Sequence, residues 1–193
     1  PLTKMTRQIV SPASIPALVR DAFRVAMEER PGPVHLELPE DIAGEEIEDI
    51  PLIPVHPLDQ PVAPAIAIDR AAGMILAAKR PLVMIGAAGN RPRLVEPLSA
   101  FVRRIGVPFF NTQMGKGAVT GGSNLYLGTA ALSEGDYVHE AVAAADLIVA
   151  IGHDTVEKPP FLMRSAGGPK VIHVGYQSAT VEQVYHPDAE VIG

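Results

Sequence analysis

Asp146-Leu147-Ile148-Val149-Ala150-Ile151-Gly152 decides how the rest of the chain is read. An aliphatic run closed by glycine, too short for a helix and without polar alternation, reads as a strand covered on both faces. A helical pattern, Tyr137 to Ala145, leads into it. The same grammar repeats outward from this point. Ile66 to Ala78 is helical and precedes the strand Pro81-Leu82-Val83-Met84-Ile85-Gly86, which also ends on glycine. Arg93 to Ile105 is helical and precedes a short strand, Val107 to Phe110. Lys170 to Val174 and Ala189 to Ile192 read as a fourth and a fifth strand. Strands separated by helical patterns of about ten or more residues require crossovers, so the expectation is an α/β fold with a doubly wound parallel sheet.

Ahead of these repeats stands a different segment. Ile15, Leu18, Val19, Ala22, Phe23, Val25 and Ala26 recur at helical spacing, with Arg20, Asp21, Arg24 and Glu28 opposite them. The helix runs into Arg30-Pro31-Gly32-Pro33 and a single strand, Val34 to Leu38, with no partner strand evident, so the piece reads as the remnant of a neighbouring domain. Prolines 51, 54, 57, 61 and 64 then preclude both helix interior and central strand. The expected organisation is a remnant over 1–44, a proline-rich linker over 45–64 and a main domain over 65–193. The apolar helix face of the remnant implies self-association, and with it a homo-oligomer.

Composition narrows the function classes. The chain has 193 residues, 47% hydrophobic but only 5% aromatic, so its core is built from small aliphatics that suit helices packed closely on a sheet. Net charge is −6 with no basic block, which argues against nucleic acid. Zero cysteines exclude a disulfide framework, a thiolate nucleophile and a Cys-type zinc site, and fit a cytosolic protein. No apolar stretch is long enough to predict a membrane helix.

Ligands of such sheets sit beyond the carboxyl ends of the strands. The turn Gly86-Ala87-Ala88-Gly89-Asn90 offers backbone N–H groups and a helix start, either for a phosphate or carboxylate or simply as a tight turn; it is not the full G-x-G-x-x-G fingerprint. Asn111-Thr112-Gln113-Met114-Gly115-Lys116-Gly117 sets a lysine between glycines without Walker spacing. Gly152-His153-Asp154-Thr155-Val156-Glu157-Lys158 concentrates ionisable groups, as an acid–base or metal cluster or as a solvated loop. Gly175-Tyr176-Gln177-Ser178 lacks the carboxylate that would bind a ribose. The other histidines, 35, 56, 139, 173 and 186, show no ligand spacing, and no Gly-x-Ser-x-Gly elbow occurs.

Taken in order, these segments resemble the acetolactate synthase branch of the thiamine-diphosphate enzymes. Pro1 to Ile42 is similar to the end of that family's pyrimidine-binding domain. Arg80 to Gly86, Met114 to Gly117 and Ala145 to Gly152 are similar to its Rossmann-like central domain. The resemblance implies a parent that condenses or decarboxylates 2-oxo acids with thiamine diphosphate and Mg2+ in a site between two protomers. It further implies that the cofactor-activating glutamate and the magnesium motif belong to pyrimidine- and diphosphate-binding domains outside this chain. Alone, the chain is then expected to be catalytically inactive. Many members hold FAD across the central domain, which by resemblance would draw on Gly86, Ala87, Gly89, Asn90, Thr112, Gln113, Met114, Gly115, Gly152 and His153. The flavin pattern has an arginine soon after the glycine that Gly152 matches, where this chain has His153-Asp154. Its Gly-x-x-x-x-Glu form, Gly152 to Glu157, is closer to the catabolic, flavin-independent members. A self-sufficient flavin- or nucleotide-binding module is the competing expectation.

Overall fold

The computed structural model describes residues 2–54, 56, 59–119, 122–130, 135–153, 167–180 and 185–193. The chain divides into two compact units, Pro1–Gln60 and Pro61–Gly193.

In the first unit, β1 (Met5–Gln8) and β2 (Val34–Glu37) form a two-stranded parallel sheet with α1 (Ile15–Met27) between them in sequence and a short α2 (Glu40–Ala43) after them. The lone strand expected from the sequence therefore has a partner. β1 escaped notice because Thr6, Arg7 and Gln8 are exposed polar residues and only Met5 is buried. α1 is held by Arg24, which pairs with Asp21 at 2.6 Å and also with Glu28. Lys4 caps its carboxyl end, donating from Nζ to the carbonyl oxygens of Glu28 (2.8 Å) and Val25. The described residues between Glu45 and Pro64 form no helix or strand.

The second unit is a six-stranded sheet, parallel throughout, in the order β5-β4-β3-β6-β7-β8. Its strands are β3 (Pro81–Ile85), β4 (Phe109–Thr112), β5 (Tyr126–Ala130), β6 (Leu147–Ile151), β7 (Lys170–Gly175) and β8 (Ala189–Ile192). The expected doubly wound α/β class is what forms. β4 begins two residues later than expected, because Val107 is a buried lead-in. β5 carries no aliphatic run and was not anticipated.

β3 and β6 lie side by side at the centre, Pro81 opposite Leu147 and Ile85 opposite Ile151. Side chains alternate between faces, so each strand feeds two cores. On one face Leu82, Met84, Phe110, Ile148 and Ala150 pack under α5 (Tyr137–Ala144) through Val138 and Val142. On the other, Val83, Ile85, Phe109, Val149 and Ile172 pack under α3 (Ala65–Ala77) and α4 (Pro92–Ile105) through Ala71, Leu98 and Val102. Each such fully buried aliphatic contributes roughly 1.5–3 kcal/mol. α4 opens on Pro92 and stops at Gly106, whose φ of +63° suits a residue without Cβ. Asp136 caps α5 by accepting from the N–H groups of Val138 (3.0 Å) and His139 (3.2 Å).

Candidate functional site

The parallel sheet sends the turns after β3, β4 and β6 to one edge, and they touch. The turn 86–90, a single 3-10 turn, lies against the end of β6: Gly86 N–H donates to Ile151 O at 2.8 Å and Ala88 N–H to Gly152 O at 2.9 Å. Asn90 reaches the neighbouring turn, its Nδ2 donating to Lys116 O at 3.1 Å. Gly115 N–H donates to Thr112 O at 3.1 Å. The residues selected from sequence are thus brought together, but unequally. Gly86, Gly89, Thr112, Gly115 and Gly152 are buried, Ala87 is half-buried, and Asn90, Gln113 and Met114 are exposed. His153 is buried, its ring 5.7 Å from that of Tyr185, which belongs to the core under α5. Asp154 and the rest of the polar loop through Pro160 lie outside the described residues.

On the opposite face a cleft of about 340 Å³ opens between α3 and α4 over the carboxyl halves of β6, β7 and β8. Ile68, Ile75, Leu98, Phe101, Val149 and Val174 are among its walls, and Gly89, Gly152 and Gly175 reach its edge. Tyr176 brings the polar rim: Arg93 donates from Nη2 to its hydroxyl at 3.0 Å, with the guanidinium carbon 5.4 Å from the ring centre. Sequence reasoning missed this rim, since Arg93 and Tyr176 stand far apart in the chain.

A second buried polar group was also read as scattered. The carbonyl of Gln177 lies 3.1 Å from His173 Nε2 and can only accept, so that nitrogen carries the proton; Nδ1 then accepts from the Tyr185 hydroxyl at 2.9 Å. Burial pushes the His173 pKa down, opposed by that carbonyl and by Glu190. Asn111 is satisfied similarly, its Oδ1 accepting from the hydroxyls of Tyr126 (3.1 Å) and Thr129 (2.7 Å). Among the described residues no three His, Cys, Asp or Glu side chains are grouped to hold a metal ion, and no helix is long and apolar enough to cross a membrane.

An all-parallel sheet with helices on both faces and glycine turns along its carboxyl edge defines a domain of the Rossmann-like, doubly wound class. Residues 68–193 match the family model of the thiamine pyrophosphate enzyme central domain, and the chain belongs to that family. It is similar along its whole length to the acetolactate synthase of Bacillus subtilis (27% identical over 194 residues, 34% of that protein). The catabolic acetolactate synthase of Raoultella terrigena is 30% identical over 197 residues, again 34% of its length. Glyoxylate carboligase of Escherichia coli O157:H7 is 26% identical over 195 residues, 33% of its length. Benzoylformate decarboxylase from Polynucleobacter necessarius shares the fold at a TM-score of 0.79 with 20% identity, all of this chain covering 36% of that one. The chain therefore spans about a third of the length of the curated relatives it matches.

Proposed function

We propose that the parent of this chain condenses or decarboxylates 2-oxo acids, and that the chain itself is a scaffold, catalytically silent alone. In this reading residues 1–44 close the pyrimidine-binding domain, 45–64 link, and 65–193 form the central domain. The remaining pyrimidine- and diphosphate-binding domains and a second protomer complete the site. Thiamine diphosphate, held with Mg2+ by those other domains, supplies the electron sink for carbanion chemistry.

The family match over residues 68–193 carries the reading. That the chain spans about a third of the length of its curated relatives supports its silence alone. The test is an assay of the purified chain with pyruvate, thiamine diphosphate and Mg2+, beside the parent polypeptide. Acetolactate or acetaldehyde from the parent and none from the chain is the expected result; turnover by the chain alone would refute its silence.

A further inference from the structure

α3 and α4 stand further apart than packed helices do. α3 lies along β8 at one edge of the sheet, and α4, as the crossover from β3 to β4, lies over those two strands. Between them run β6 and β7. At about 4.8 Å per strand, the three to four strand spacings from β8 to β3 and β4 separate the helices by roughly 14–19 Å. Helices in contact stand only about 8–10 Å apart. The gap is one helix wide.

The lining of the cleft has the form of a helix seat. One wall is Ile68, Ala71, Ala72 and Ile75 of α3, and the other is Leu94, Pro97, Leu98 and Phe101 of α4. Both sets fall at i, i+3, i+4 and i+7, so each wall is an apolar stripe two turns long, about 10 Å. Among the described residues no lining side chain is charged. A parallel sheet is normally covered on both faces, yet Ile151, Val174 and Val191 on the floor are only half-buried, and Ile68 on the wall is 48% exposed. The chain's described connections turn to the other face. Ala179 and Tyr185, between β7 and β8, pack in the core under α5, and His153, directly after β6, stands against Tyr185. A second copy has no described helix to offer: one already packed on its own sheet has a single free side, while this seat encloses three. α1, whose Phe23 and Met27 are exposed, carries Asp21, Arg24 and Glu28 on its opposite side. Relatives about three times as long as this chain indicate where the helix comes from.

We propose that the cleft between α3 and α4 seats one amphipathic helix of the same parent polypeptide, from outside residues 1–193, apolar on the three sides it buries and polar on the fourth. The proposal rests on the reading of the chain as part of a longer polypeptide, but not on the reaction assigned to that polypeptide. The chain has no cysteine, so Ala72→Cys, exposed on the cleft wall, places its only thiol there. Maleimide labelling at that position is followed by peptide mass spectrometry in the chain and in the parent. In parallel, a photo-reactive benzophenone amino acid replaces Ile68 in the parent, and its crosslinks are mapped. Expected are fast labelling in the chain at every protein concentration, labelling at least about tenfold slower in the parent, and crosslinks confined to one segment of the same polypeptide outside residues 1–193. Equal labelling in chain and parent overturns the proposal. So does slow labelling in the chain, whether constant, from its own residues, or growing with concentration, from a second copy. Crosslinks into residues 1–193 or into a separate polypeptide also overturn it. Pyruvate turnover by the parent is read separately, so either reading can fail without the other.

Discussion

His173 shows how a single residue couples this fold to pH. Its ring is buried between Tyr185 and the Gln177 carbonyl, and burial lowers its folded pKa below the ordinary 6.5. Above that value both folded and unfolded chains carry neutral histidine, and the fold has its full stability. As pH falls beneath it the unfolded chain takes up the proton first, so stability is lost until the folded pKa is passed. The charged groups around it are few: Glu190, on the adjacent strand β8, favours the proton, and its Oε1 also accepts from Ala179 N–H at 2.7 Å. The urea midpoint should therefore drop between about pH 7.5 and pH 5, and His173→Gln should flatten that drop. An unchanged slope in the variant would show that the proton uptake occurs elsewhere. Tyr185→Phe should cost about 1–3 kcal/mol, because Nδ1 is left buried without its donor. None of this was legible in the sequence, where His173 and Tyr185 stand in separate segments and neither has metal or catalytic spacing.

At the scale of elements, the strands that read most clearly are those with the simplest environment. β3 and β6 are covered on both faces, so their composition is aliphatic throughout and glycine marks their ends. β5 pairs on one side only and contains Gly128 at φ +111°, with the Tyr137 hydroxyl 2.6 Å from where its Cβ would be; a strand interrupted by such a residue has no periodicity to find. The candidate turns were legible as glycine positions, but their closure on one another was not, since the Gly89–Gly152 contact joins distant segments. Strand entry is organised by carboxylates. Asp146 precedes β6 and accepts from the N–H groups of Lys79 (2.8 Å) and Arg80 (2.9 Å), at the start of β3; those bonds hold its pKa below the usual 3.8. Asp188 repeats the device before β8, accepting from Val171 N–H at 2.8 Å. Asparagine at 146 keeps one acceptor and loses the other, so Asp146→Asn should lower the urea midpoint at neutral pH. The sign follows from the depressed pKa: the carboxylate's contribution is complete above the unfolded value and disappears as pH falls through the folded one. Wild type and variant should therefore converge as pH falls through that depressed pKa, and a gap that stays constant with falling pH would overturn the assignment.

For the whole molecule, the two units differ in how far they complete a core. Both large clusters of buried residues belong to the second unit. Among the described residues of the first, Met5, Ile9, Pro12 and Ala22 are the buried apolar side chains, while Phe23 is 58% and Met27 61% exposed on α1. Residues 61–193 should thus fold alone with a cooperative thermal transition, and residues 2–60 should not; a cooperative melt from the shorter piece, followed by circular dichroism, would contradict this. The strand order has a further consequence for how such a chain comes into being. β3 pairs with β4 as soon as the α4 crossover between them is made, but its other edge waits for β6, which is made only after β4, β5 and α5. On a translating ribosome the central seam stays open until Ile151 has left the exit tunnel, and the half-made sheet meanwhile offers a bare edge to any passing strand. Nascent chains stalled just short of that residue are where chaperone dependence should be greatest.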